Sequence, residues 1–279
     1  MDHICFNGKI VAAAEPVLLA SNRGYRYGDG LFETLKVIRG QIILSPFHFE
    51  RLFHGIKLLK METPTLFTPE KLQQEVLQLC KKNNCEQLAR VRLSVFRGNG
   101  GLYDDDKTLQ YLIECWPLSD SVNSLNENGL VTGFFPDAQK SCDQFSNLKS
   151  ANFLPYTMAA QYAKENRLND CLVLNSVGNI ADSTIANVFI IKQGIISTPA
   201  LEEGCVNGVM RRYLLEQLRT GSYQIRETAL SIADIENAEE FFLTNAINGI
   251  RWVRQFRDAT YTCSKTAEIY SSHIKTIQQ

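Results

Sequence analysis

A polar, turn-rich run, "SDSVNSLNEN" at 119–128, breaks the hydrophobic patterning of the chain close to its middle. Serine, asparagine and aspartate side chains hydrogen-bond their own backbone and so compete with helix and strand ladders. The run reads as a linker between a domain over 1–118 and a larger one over 129–279. A chain of 279 residues can bury a full core on each side of such a break.

Before the break, "FETLKVIRGQIIL" reads as two strands turning at Arg39-Gly40. Ser45-Pro46 opens a helix through "FHFERLFHGIKLLK", with serine as N-cap and proline in the first turn, and Thr68-Pro69-Glu70 repeats the device. "ARVRLSVF" and "LQYLIEC" follow as strands. In the first, Arg90, Arg92 and Ser94 alternate with apolar residues, which puts both arginines on one face. Beyond the break come "LVTGFF", a helix over 152–167, "CLVLN", "VFIIK" and "GIIST", a helix in "VNGVMRRYLLEQLR", the strands "QIRETAL" and "EEFFLTNA", and a terminal helix in "KTAEIYSSHIKTI".

The net charge of −1 offers no basic excess for a nucleic-acid partner. No apolar run approaches the roughly 20 residues of a membrane span, and "MDHICFNGK" carries no basic-then-apolar leader pattern. The expected location is the cytoplasm. Eight cysteines and four histidines show no C-x-x-C and no zinc spacing. Reduced, packed thiols and no metal are expected.

Between Asp143 and Lys164 the chain reads "QFSNLKSANFLPYTMAAQYA", and Lys149 is its sole charged side chain. Such a lysine either lays its stem on apolar surface with the head in water, or sits where poor solvation favours a neutral, nucleophilic amine. Three other stretches carry chemistry: the acidic Asp182 in "GNIADSTIANVF", a helix start at "GCVNGVMR", and "YGDGLFET". An amine, an anion and a set of helix N-terminal N–H groups match the aldehyde, ring nitrogen and phosphate of pyridoxal phosphate. Spacing alone leaves both readings of Lys149 open. "RGNGG" lacks the Gly-Lys-Ser/Thr of a phosphate loop, and "YDDDK" reads as a solvated loop.

The blocks "NRGYRYGDGLFETLKVIRGQI", "HFERL", "NLKSANFL", "GNIADSTIANVFIIKQGIISTP", "GCVNGVMRRYL" and "FFLTNAINGIRWV" occur in that order over about residues 5–255. In them the chain resembles the fold-type-IV pyridoxal-phosphate enzymes, the class IV aminotransferase family. That family holds branched-chain aminotransferases, D-amino acid aminotransferases and 4-amino-4-deoxychorismate lyases. The resemblance implies a two-domain α+β fold, a small N-terminal α/β domain and a larger C-terminal domain with a β-barrel-like core. It also implies pyridoxal 5'-phosphate between the domains, and a homodimer in which the partner's small domain completes the pocket.

The resemblance assigns roles residue by residue. Lys149 matches the lysine that condenses with the cofactor and then moves the proton. Arg51 in "HFERL" matches a phosphate clamp, for which a guanidinium fork is suited. Val206 and Asn207 match backbone N–H donors to the same phosphate, with Thr244, Asn245 and Ala246 in the rest of its cup. Phe32 matches an aromatic wall of the substrate pocket. Asp182 stands where the family usually has glutamate on the pyridinium nitrogen, and is one methylene shorter. Ala246 replaces a phosphate-binding threonine, and Leu154 replaces the tyrosine of branched-chain enzymes. Leu102 in "RGNGGLY" replaces a loop arginine, which leaves Arg90, Arg92 and Arg251 as candidates for the substrate carboxylate. The implied substrate is 4-amino-4-deoxychorismate, losing pyruvate to leave 4-aminobenzoate for folate synthesis, or a branched-chain or D-amino acid in transamination. A homologue that binds the cofactor without turnover is the third reading.

Overall fold

The computed structural model describes residues 1–221 and 223–278. The chain forms two units, Met1–Asp120 with Leu148–Asn152, and Ser121–Asn147 with Phe153–Gln279.

The first unit is a six-stranded antiparallel sheet with two longer helices. Its strands are β1 (His3–Phe6), β2 (Lys9–Ala12), β3 (Gly30–Ile38), β4 (Gln41–Ile42), β5 (Leu88–Arg97) and β6 (Leu109–Pro117), in the order β2-β1-β6-β5-β3-β4. Ile38 pairs with Gln41 across Arg39-Gly40, whose φ values are 49° and 72°. A two-residue hairpin with both φ positive matches the twist of its strands, and glycine relieves the second position. After α1 (Arg23–Tyr27) come α2 (Ser45–Leu58) and α3 (Pro69–Lys82). Thr68 caps α3 as read from the sequence, accepting from the Lys71 N–H at 3.2 Å. Ser45 does not cap α2: it is already helical, and the preceding Leu44 turns the chain with φ 54°. α2 buries Phe49, Leu52, Gly55 and Ile56 at helical spacing. A Cβ on Gly55 would stand 2.7 Å from Leu31 Cδ1, so a larger residue there would make the Leu31 side chain shift. The core of the unit joins Leu35, Leu52, Leu72, Val76, Leu79, Val91, Leu93 and Ile113.

The second unit is a nine-stranded mixed sheet. Its strands are β7 (Leu130–Lys140), β8 (Asp170–Asn175), β9 (Ile180–Ser183), β10 (Asn187–Lys192), β11 (Ile195–Pro199), β12 (Gln224–Thr228), β13 (Glu240–Asn245), β14 (Gly249–Phe256) and β15 (Ala259–Thr260). The order is β12-β11-β10-β13-β14-β7-β8-β9, with β15 on β14. The sheet curls: β9 at one end turns into β10 in the middle, where the Ser183 N–H donates to the Ala186 carbonyl at 2.8 Å. α4 (Leu154–Glu165) covers β7 and β8 through Tyr156, Ala159 and Ala163. α5 (Val209–Thr220), α6 (Ile232–Glu236) and α7 (Ser264–Ile269) complete it. A second core gathers Leu172, Ile180, Val188, Phe241, Leu243, Val253 and Phe256.

The break between the units, Asp120 to Ser121, falls inside the run read as a linker. The expected linker is not loose along its whole length, because Asn126 clamps Trp252 by three hydrogen bonds of 2.6 to 3.0 Å. Residues 148–152 lie within the 129–279 span yet join the first unit. The Phe32 N–H donates to the Lys149 carbonyl at 2.9 Å, and the Ala151 N–H to the Gly30 carbonyl at 2.8 Å. A short segment thus pairs with β3 by backbone alone, which no side-chain pattern announces.

Leu93 is fully buried on β5. Leu93→Ala is expected to lower the unfolding free energy by about 2–5 kcal/mol. Denaturant unfolding measures it, and a loss under about 1 kcal/mol would contradict the close packing described.

Candidate functional site

The pairing of 148–152 with β3 fixes Lys149 beside Phe32. Its Nζ stands 4.5 Å from the centre of the Phe32 ring, and the Arg92 Cζ stands 3.8 Å from the same centre. Arg92 Nε donates to Ser94 Oγ at 3.0 Å. Burial, opposed by Glu114, holds its guanidinium below the usual arginine range. Arg90, two residues earlier on the same face, lies 4.7 Å from the Trp116 ring and is exposed. The structure therefore groups Lys149, Phe32 and Arg92, with Arg90 further along the strand.

Next to Phe32, Glu33 is 1% exposed. A carboxylate buried that far has to be matched by charge and hydrogen bonds. Arg51 meets it with both edges of one fork, Nε to Oε1 at 2.7 Å and Nη2 to Oε2 at 2.6 Å. His48 Nδ1 lies 2.6 Å from Oε2, and His48 Nε2 is buried without a hydrogen-bond partner. Arg51, expected as a phosphate clamp, here sets two of its guanidinium N–H groups on Glu33. Burial is the largest influence on Glu33 and pushes it up, but Arg51 and His48 together outweigh it and hold the carboxyl at about 2. Burial lowers His48 below its ordinary value, against the pull of Glu33.

In the second unit, Asp182 on β9 is 3% exposed and accepts four hydrogen bonds. Lys140 Nζ (3.1 Å), Tyr156 Oη (2.7 Å) and the Val206 N–H (3.0 Å) reach Oδ2, and Asn187 Nδ2 (2.9 Å) reaches Oδ1. Asn187 Nδ2 also donates to the Val206 carbonyl at 2.8 Å. A Cβ on Gly208 would collide with Asn187 Oδ1, so glycine is needed where α5 begins. Burial, reinforced by Asp182, pushes the Tyr156 hydroxyl well above its ordinary value.

Both backbone donors expected at the phosphate have protein acceptors here. The Val206 N–H is committed to Asp182, and the Asn207 N–H donates to the Asn147 carbonyl at 3.0 Å. The N–H groups with no carbonyl inside a helix to meet belong to its first turn, here Val209 to Arg211. Thr244 Oγ1 is buried without a partner. Asn245 Oδ1 instead closes its own turn, accepting from the Ile247 and Asn248 N–H groups at 3.0 and 2.8 Å, and Ala246 in that turn carries no polar side-chain atom. Arg251, a candidate for the substrate carboxylate, donates to the Ser124 and Ser121 carbonyls at 2.6 and 3.2 Å and to Asn248 Oδ1 at 3.0 Å. Leu102 is 58% exposed, in a loop that Arg23 anchors through the Gly101 and Asp104 carbonyls.

Glu33, His48, Tyr156 and Lys140 were missed as individual residues. Glu33 and His48 stand inside the quoted blocks "YGDGLFET" and "HFERL". Tyr156 and Lys140 had no signal beyond residue type.

The sequence profile of the class IV amino-transferases matches residues 30–256. The chain belongs to the class IV aminotransferase family, whose enzymes depend on pyridoxal phosphate. It is 26% identical over 251 residues to the aminodeoxychorismate lyase of Bacillus subtilis, covering 88% of this chain and 83% of that one. It is 24% identical over 247 residues to the D-alanine aminotransferase of Bacillus licheniformis, covering 87% and 84%. Its fold matches the branched-chain aminotransferase of Thermoproteus uzoniensis, solved with norvaline, at TM-score 0.87 and 18% identity, covering 99% and 94%. The protein is a pyridoxal-phosphate enzyme of the fold-type-IV class.

The titrating pair of the first unit gives a pH prediction. Glu33 is depressed, so its contribution is present above about 4.5 and lost as pH falls toward 2. His48 is also depressed, so the unfolded chain takes up its proton first and stability falls as pH drops below about 6.5. Acid destabilisation of this unit is expected to begin below about pH 6.5 and steepen below about 4.5. Denaturation midpoints measured against pH test it. Glu33→Gln should flatten the lower limb, and an unchanged slope would refute the assignment.

Proposed function

We propose that the enzyme acts on an amine that also carries a carboxylate, and that its reaction is removal of pyruvate from 4-amino-4-deoxychorismate. The observation that carries the first part is the shared Phe32 ring, faced by the Lys149 amine and the Arg92 guanidinium. Two cations on one ring repel, and a carboxylate at Arg92 relieves that repulsion while a reacting amine lies near Lys149.

The residues fit pyridoxal phosphate chemically. Lys149 supplies an amine. Thr244 Oγ1 and His48 Nε2 are buried polar atoms left for a ligand, each within its own unit. The first-turn N–H groups of α5 are suited to a phosphate. Asp182 is a buried anion for the ring nitrogen. Its Oδ2 already accepts three hydrogen bonds and Oδ1 one, so Oδ1 has the capacity for another donor. When bound, the cofactor supplies an electron sink for the carbon that bears the substrate amine.

The chain's own residues do the rest. Lys149 takes the proton from that carbon. Loss of the enolpyruvyl group as pyruvate then leaves the aromatic product, and Lys149 needs no second substrate to finish. Arg92 orients the substrate by its carboxylate, and Phe32 excludes water from that side. The absence of a tyrosine at 154, where Leu154 is exposed, supports the lyase over a branched-chain enzyme. The second reading is transamination of a branched-chain or D-amino acid, whose carboxylate Arg92 would equally receive. The dimer and the cytoplasmic location belong to the same proposal.

Borohydride treatment of the loaded enzyme is expected to attach the cofactor to Lys149, seen by peptide mass. Lys149→Ala should lose both the adduct and turnover by about 10²–10⁴-fold or more; normal turnover in that variant would end the proposal. Arg92→Ala should raise KM about 10–100-fold, as for a lost charged hydrogen bond. Release of 4-aminobenzoate with the cofactor spectrum restored identifies the lyase. Conversion of the cofactor to its amine form by an amino acid alone identifies the transaminase.

A further inference from the structure

Eight cysteines showed no metal spacing in the sequence, yet the fold gathers Cys80, Cys85 and Cys115 with their sulfur atoms all within 4.8 Å of one another. Cys80 is in the last turn of α3, Cys85 follows that helix, and Cys115 is on β6. Cys85 is folded back on the helix end: Asn84 takes φ 53°, and the Cys85 N–H donates to the Cys80 carbonyl at 2.9 Å. Cys85 Sγ then lies 3.6 Å from Cys115 Sγ. Asn83 Nδ2 donates to Cys115 Sγ at 3.2 Å and to the His3 carbonyl at 2.9 Å, a donor that favours sulfur as thiolate.

We infer that Cys80, Cys85 and Cys115 form a three-sulfur site for a soft monovalent cation, Cu(I). Three sulfurs bound at about 2.3 Å to one ion stand roughly 3.8–4.0 Å apart, within a few tenths of an ångström of the Cys85–Cys115 separation. Among the described residues no fourth histidine, cysteine or carboxylate joins the group. The three cysteines are 0 to 4% exposed, so a water ligand is not favoured beside them. Zinc in closed sites takes four ligands, whereas thiolate sulfur selects Cu(I) among the soft ions. Each thiol that coordinates releases its proton to solvent, and copper keeps its oxidation state. The ion would tie the end of α3 to β6. These residues play no part in the proposed reaction, so this inference stands or falls separately.

The test is copper content after expression with added copper and anaerobic purification, followed by challenge with the Cu(I) chelator bicinchoninate. The cofactor-loaded protein is expected to retain about one copper per chain. Cys85→Ala and Cys115→Ala should retain at least tenfold less, and Cys171→Ala, at a buried cysteine outside the group, should match the parent. X-ray absorption on the parent should show a shell of three sulfurs, which covers the case where a variant fails to fold. The copper-loaded parent should melt at a higher temperature than the stripped one, and Cys115→Ala should show no such shift. Complete loss of copper from the parent, equal retention in all variants, zinc retained in place of copper, or a Cys85–Cys115 disulfide found by thiol counting would each overturn the inference.

Discussion

Each unit is organised around a carboxylate that has been taken out of water. An uncompensated buried charge costs several kcal/mol, so its neighbours have to supply opposite charge and aligned donors. Glu33 obtains both from Arg51 and His48, and that requirement ties β3 to α2 at one turn of the helix. Asp182 obtains them from β7, α4, β10 and the loop before α5. The ion pairs add modestly to net stability. Their larger effect is to make one arrangement of side chains far better than any slipped one.

That constraint reaches the reactive residues. Phe32 immediately precedes Glu33, so alternation along β3 puts its ring on the opposite face, where Lys149 and Arg92 meet it. A shift of β3 by one residue would set Phe32 against Arg51 and His48 in place of Glu33 and dissolve both groupings at once. The backbone pairing of 148–152 with the same strand extends the effect to Lys149. A single register therefore sets the position of the amine and of the cation proposed to receive the substrate.

What could be read from the sequence was what local physics decides. The Arg39-Gly40 hairpin, the Thr68 cap and the alternation of Arg90 and Arg92 on β5 depend on neighbours a few residues away. Lys149 stood out because its surroundings lack charge. Ser45 failed as a cap because the chain turns one residue earlier, at Leu44. Long-range features were not legible. Cys115 lies 30 residues beyond Cys85, and nothing in either neighbourhood signals the other. The commitment of the Val206 N–H to a carboxylate 24 positions earlier was equally invisible. So was the contact of Arg251 with the carbonyls of Ser121 and Ser124.

Aspartate at 182, in place of the longer glutamate, becomes intelligible from its partners. A carboxylate that reaches Lys140, Tyr156, Asn187 and the Val206 N–H from one position on β9 has no slack for an added methylene. Lengthening it would push the oxygens past Tyr156 or force Asn187 toward Gly208, where even a methyl group has no room. The short side chain is thus fitted to its own network first. Lys140 offsets its charge and three donors share Oδ2, so Asp182 presents a weaker field to a further partner than a free carboxylate would. The network buys a rigid anion, and an anion so held is oriented before any ligand arrives.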